Sequence, residues 1–306
     1  MKKKKVILDC DPGVDDALAI MLAVNSEEVS LEGITTVHGN VSLEQANTNA
    51  LRLLDFLGED ICVGKGVSEP LIYDRISAGS VHGSDGLGDS SMLSRGSLRE
   101  CSYDGAGMII EKVKGGVKSL VATGPLTNVA LAFERDSETM NSLDELVIMG
   151  GNVYTSGNTR LSEFNFYVDP HAVKYVLEQD VRKVIVPLDV TKKVLLTDEA
   201  LLRLPENEKG ELVKSMVAKY REFYMTNIDL EGNPLHDPLA MGYAINKDFV
   251  RVKPMCLDIN VGNGDERGCV FEYRIFEGGN RPNCEVALEV DSSEFLNYFV
   301  NTVAKD

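Results

Sequence analysis

Short apolar, β-branched runs alternate along this chain with stretches of helical periodicity, and that alternation constrains its fold more than any other feature. Val6-Ile7-Leu8, Leu31 to Val37, Ile61 to Val63, Lys118 to Ala122, Leu146 to Met149 and Lys183 to Pro187 read as strands. Between them the spacing predicts helices from about Asp16, then over Leu43–Leu57, Gly105–Lys114, Leu126–Phe133 and Pro170–Glu178. A β-then-α rhythm implies a mostly parallel α/β sheet with helices on both faces. Residues 198–230 look mainly helical. The tail from Met255 regains β character, which suggests a small antiparallel addition at the sheet edge. No repeat or Pro-rich linker divides the 306 residues, so residues 1–306 read as a single domain with room for a substantial core. The rhythm breaks over 71–98 and again over 152–165. Long irregular stretches inside a compact domain usually carry function.

Where the first strand ends, Asp9-Cys10-Asp11-Pro12-Gly13-Val14-Asp15-Asp16 places four carboxylates within eight residues. Turn and cap roles suit one or two aspartates. Four at the carboxyl end of one strand, where α/β sheets hold their ligands, need a positive partner. Oxygen-only donors point to a hard cation such as Ca²⁺ or Mg²⁺. Asn40, Thr123 to Asn128 and Met149 to Asn152 each follow a strand in the same way, which predicts one shared pocket. Leu235-His236-Asp237-Pro238 stands apart. The proline disfavours helical backbone at Asp237, so Asp237 is expected to cap a helix opened by Pro238. Of the four histidines, His171 reads as a surface residue of a helix.

Net charge is −17, which argues against nucleic-acid backbones and anionic membrane surfaces as partners. No run approaches a membrane span. Lys2 to Lys5 are followed by too few apolar residues for a signal peptide and read as a solvated tag. The six cysteines form no C-x-x-C pair and read as free thiols of a reducing, cytoplasmic compartment. Cys10, on the strand face opposite Asp9 and Asp11, reads as a packing residue.

Taken in order, these segments resemble the inosine-uridine-preferring nucleoside hydrolase family. Asp9 to Asp16 is similar to its D-x-D-P-G-x-D-D fingerprint. Gly124-Pro125-Leu126-Thr127-Asn128, Met149-Gly150-Gly151, Glu163-Phe164-Asn165 and His236-Asp237-Pro238 are similar to later blocks. The resemblance implies a doubly wound, Rossmann-like sheet with a small antiparallel addition, and hydrolysis of the N-glycosidic bond of a purine or pyrimidine ribonucleoside, giving ribose and free base, by a homodimer or homotetramer. It also implies a Ca²⁺ ion held by the carboxylates of Asp11, Asp16 and Asp237 and the backbone carbonyl of Thr127. Asp11 would be general base towards water. Asp15 and Asn40 would hold the ribose 2′ and 3′ hydroxyls, with Glu163, Asn165 and Asn158 as further sugar ligands and Asp9 as support. The spacing from Asn158 to Glu163 is one residue shorter than the family's. His82 and His236 would face the leaving base, His236 as general acid. Tyr220 and Tyr224, four apart on one helix face, would line the base pocket. Ile228 stands where some pyrimidine-preferring members carry tyrosine, so the base preference stays open. Two rivals are a haloacid-dehalogenase-like phosphohydrolase, which also starts with D-x-D after a strand, and a nucleoside binder without turnover.

Overall fold

The computed structural model describes residues 3–93, 100–227, 230–273 and 281–305. Val6-Ile7-Leu8 lies in β1 (Lys4–Cys10), whose last five residues are all buried. A strand covered on both faces belongs inside a sheet flanked by helices. Ile7 and Leu8 point to opposite faces and join two separate apolar clusters. One is built on α1 (Val14–Asn25) and α2 (Leu43–Leu57), beyond which lies the short α3 (Gly79–His82). The other is built on α4 (Gly105–Lys114) and α5 (Thr127–Arg135).

The remaining parallel strands are β2 (Val29–Thr36), β3 (Val63–Lys65), β4 (Glu100–Asp104), β5 (Ser119–Ala122), β6 (Glu145–Met149) and β7 (Lys183–Val186). β1 pairs with β2 on one side and β5 on the other. From β1 the sheet runs out through β2, β3 and β4, and the chain then returns to β5 and runs the other way through β6 and β7. The winding therefore reverses between β1 and β5, the switch point at which such sheets open a ligand crevice. Cys284–Val290 adds to β7 in parallel, and Val250–Met255 closes that edge antiparallel to it, for nine strands. Leu257–Ile259 and Val270–Glu272 form a small separate antiparallel pair. Among the described residues no helix is long and apolar enough to cross a membrane.

Several expectations are corrected. The strand expected at Ile61–Val63 lies two residues later, at Val63–Lys65, because that register pairs it with Ile34 to Thr36. The tail ends in a helix, Ser292–Thr302, whose Phe295 and Phe299 pack into the core. The helical 198–230 region is broken at 203–207, between Asp198–Leu202 and Glu208–Asn227. Ile228 falls outside the described residues. Cys62 and Cys101 are not free: they form a disulfide between neighbouring β3 and β4, their Cα atoms 5.7 Å apart. Cysteine usage therefore gives no argument for a reducing compartment. His171 is half-buried, its ring centroid 5.3 Å from that of Tyr73. Asp237 does not cap a helix from outside. The helix is His236–Ile245, with Leu235 at its N-cap and Asp237 in the first turn. A proline is tolerated there because first-turn N–H groups have no partner within the helix.

Candidate active site

β1 delivers the acidic motif to the switch point. Asp9 stays within the sheet: its Oδ1 accepts from Thr35 Oγ1 (2.6 Å) and Asn128 Nδ2 (2.8 Å), which tie it to β2 and α5. Pro12 and Gly13 turn the chain, and α1 begins at Val14 with Asp15 and Asp16 in its first turn. Asp16 is the best-held of the four. It accepts from Gly13 N–H (3.0 Å), Asn40 Nδ2 (3.0 Å) and Thr123 Oγ1 (2.8 Å). Asp11 Oδ2 takes the Asn40 N–H at 2.6 Å. Asp9 Oδ2, Asp11 Oδ1 and Asp15 Oδ1 are buried and find no hydrogen-bond partner among the described residues.

Asp237 comes to this cluster from the far end of the chain. Oxygens of Asp15, Asp16 and Asp237 lie within 4.8 Å of one another. Burial, with the neighbouring carboxylates, pushes Asp11, Asp15 and Asp237 well up from the usual carboxylate range, and burial alone dominates for Asp16 and for Asp9, which rises to about 7. Carboxylates crowded together with unsatisfied oxygens fit a hard divalent cation, which would hold them ionised and use the orphaned lone pairs.

Thr127 does not belong to this group. Its hydroxyl donates to Asp169 (2.7 Å) and contacts His38 Nε2 (3.0 Å), and its backbone is the first turn of α5, where carbonyls are committed to the helix. The threonine beside the cluster is Thr123, directly after β5, one strand over from Asp9. It lines the cavity, its hydroxyl bonds Asp16, and its carbonyl accepts from Asn165 Nδ2 at 2.7 Å. Thr123 stood in the polar stretch after β5, at the position that strand geometry favours, and that was the available signal.

Above the carboxylates is a cavity of about 110 Å³. Asp15, Asn40, Asn158, Glu163 and Asn165 line it together with His82, Tyr220, Phe223, Tyr224 and His236. Glu163 caps the helix Phe164–Val168 and accepts from Gly151, Asn165 and Phe166 N–H; burial still raises it to about 7. His82 is carried in by α3, on the first irregular stretch. Its Nδ1 accepts the Val14 N–H (3.1 Å), which places the ring proton on Nε2, and its ring stacks on Tyr220 with centroids 5.1 Å apart. His236 is held at both nitrogens, by Thr191 Oγ1 (2.7 Å) and Tyr224 OH (3.2 Å). A hydroxyl chain continues through Tyr220 to Asp15 Oδ2, at 3.4 Å per step. Burial drives both histidines down to about 3, assisted for His236 by Lys192 and His82, so both rings are neutral. Thr191 and Phe223 were not read from the sequence, where nothing in their spacing distinguishes them from packing residues.

Comparison with known proteins gives the family. Residues 6–297 match the model of the inosine-uridine preferring nucleoside hydrolase family. The chain belongs to that family. A curated pyrimidine-specific ribonucleoside hydrolase, RihB of Escherichia coli O157:H7 (strain EC4115 / EHEC), is 32% identical over 299 residues, covering 96% of this chain and 95% of that protein. A purine-preferring ribonucleoside hydrolase from Gardnerella vaginalis superposes with a TM-score of 0.92 at 32% identity, covering 98% of both chains. The plant nucleoside hydrolase PpNRh1 superposes at 0.93, with 29% identity and full coverage of both. Membership makes this chain a nucleoside hydrolase and leaves no place for the phosphohydrolase reading.

Proposed function

We propose that this nucleoside hydrolase cleaves the N-glycosidic bond of ribonucleosides to ribose and free base, with one Ca²⁺ held by Asp11, Asp16, Asp237 and Thr123. The observation that carries this is the set of orphaned carboxylate oxygens of Asp11 and Asp15, in an acidic cluster beside a cavity that Asp15, Asn40, Glu163 and the neutral His82 and His236 line. When bound, the ion neutralises the buried cluster and makes water more acidic in its neighbourhood.

Asp11 is the general base. One of its oxygens is fixed by Asn40 and the other is turned inward without a partner, so it can take a proton without reorganising. Asp15 Oδ1 is likewise open to accept from a ribose hydroxyl, with Asn40, Asn158 and Asn165 beside it. The acidic cluster favours the positive charge that develops on the sugar as the glycosidic bond breaks. His82 presents Nε2–H, and His236 with Tyr224 presents a hydroxyl–imidazole pair. Neutral donors of this kind stabilise a departing base through hydrogen bonds, and rings held neutral do not act as the imidazolium acid expected of His236. The curated and structural relatives named above are described as pyrimidine-specific and purine-preferring, so base preference is a matter for assay.

The test is incubation of purified protein with inosine, uridine and their 2′-deoxy analogues, following free base and reducing sugar. Base release from the ribonucleosides is expected, with loss on the 2′-deoxy analogues, on chelation and in Asp11→Ala. Ribonucleoside binding without product over long incubation, or turnover surviving in Asp11→Ala, overturns the reading.

A further inference from the structure

We infer that Asp189 and Lys192 are positioning residues that lock segment 152–162, which contributes to the wall of the cavity, and so set where the substrate's sugar is held. The inference rests on the function proposed above. Segment 152–162 has almost no regular structure, only a single bridge between Thr159 and Ser162. Yet it supplies Asn158 and Thr159 to the cavity lining. The Asn158 amide oxygen is taken by the Phe164 N–H at 2.9 Å, so the side chain offers the cavity its N–H donors. Such a donor is useful to a sugar hydroxyl only if its backbone is held still.

The holding comes from one short turn, the helix Leu188–Thr191 that follows β7. The Asp189 carboxylate is buried and accepts from two successive backbone groups of the segment, Val153 N–H at 2.8 Å and Tyr154 N–H at 2.7 Å. Lys192 grips the same stretch by its carbonyls, with Nζ donating to Ser156 O at 2.7 Å and more weakly to Gly157 O at 3.5 Å. Leu188 N–H fixes the segment's root through Gly151 O (2.9 Å). A carboxylate on N–H groups and an ammonium on carbonyls are charge-assisted bonds, roughly twice as strong as neutral ones. They fasten residues 153–157, the stretch leading directly into Asn158. The same turn carries Thr191, which orients His236. One element thus registers the segment bearing Asn158 against His236.

The test compares Asp189→Ala, Asp189→Asn, Lys192→Met and Lys192→Arg in the full chain supplied with Ca²⁺. Steady-state kinetics on inosine and uridine are read together with amide hydrogen exchange. In Asp189→Ala, KM is expected to rise about tenfold with kcat changed less than about threefold, the signature of lost binding without lost chemistry. Exchange over residues 153–157 is expected to accelerate at least about tenfold, with the strands of the central sheet unchanged. Lys192→Met should show a smaller rise in KM that Lys192→Arg restores, and Asp189→Asn should recover part of the loss, since an amide keeps one acceptor. Unchanged exchange in Asp189→Ala and Lys192→Met overturns the inference, and so does accelerated exchange with wild-type KM, or a fall in kcat alone. Exchange needs no turnover. If the wild-type protein releases no base, the functional proposal falls, while exchange still decides whether the segment is locked. If Asp189→Ala fails to fold, the Lys192 pair carries the comparison.

Discussion

Gly39 follows β2 at the point where the chain passes over Asp11, and replacing it by alanine tests whether that turn sets the base. A Cβ there would lie 2.0 Å from Asp11 Oδ2, and real Cβ atoms do not come within 3.0 Å, so the carboxylate must retreat by about 1 Å. Retreat breaks the 2.6 Å hydrogen bond from Asn40 N–H, and a bond to a charged group contributes about 1.5–3 kcal/mol. A misplacement of about 1 Å at a reacting group costs on the order of 10²-fold in rate. We therefore expect Gly39→Ala to lower kcat about 100-fold, or about 2.7 kcal/mol of barrier. A melting temperature about 3 °C lower should accompany it, the response of a chain of 306 residues to about 2 kcal/mol. The assay is free-base release under saturating ribonucleoside, with folding checked by circular dichroism. Gly264→Ala is the control, because a Cβ there meets nothing within 4 Å. Wild-type kcat in Gly39→Ala, or an equal loss in the control, refutes the reasoning.

Tyr224→Phe removes the hydroxyl that bonds His236 Nε2 and leaves that buried nitrogen unpaired, a cost of about 1–3 kcal/mol. Between about 10- and 100-fold loss in kcat is expected, and an unaffected rate excludes Tyr224 from leaving-group support. Glu163 has its folded-state pKa raised to about 7 from 4.5, so its stabilising contribution is full below about pH 4.5 and is lost as pH rises through 7. The stability of wild type relative to Glu163→Gln should accordingly decline between pH 4.5 and 8 in chemical denaturation, and a flat difference contradicts it. Chelation should lower the melting temperature, with added Ca²⁺ restoring it and Mg²⁺ restoring it less, because a rigid octahedral ion fits a mixed carboxylate and carbonyl cage less well. Equal rescue by the two ions argues against Ca²⁺ as the resident metal.

Much of the fold was legible because it rests on local periodicity. Val6 to Leu8 and the stretch Leu43–Leu57 carry their structure in residue order, and strand-then-helix order fixes a parallel sheet. Edge pieces were less legible. The strand at Val63–Lys65 is set by its partner's register, and Ser292–Thr302 is helical because the core offers a place for Phe295 and Phe299. The disulfide between Cys62 and Cys101 could not be read from their spacing, since it depends on β4 returning beside β3.

The site divides in the same way. Residue order showed four carboxylates within eight residues after an apolar run, a crowding that points to a cation because like charges that close repel one another. Which groups face them follows from the fold. It set Thr123 rather than Thr127 beside Asp16, since β5 lies next to β1 while α5 buries Thr127 against Asp169. It brought Asp237 to within 4.8 Å of residues more than two hundred positions earlier. And it placed Asp189 and Thr191 on one turn, with Lys192 directly after it, against segment 152–162 and His236. Residue order records which groups are near in the chain; which groups are near in space is fixed by how the strands are ordered in the sheet.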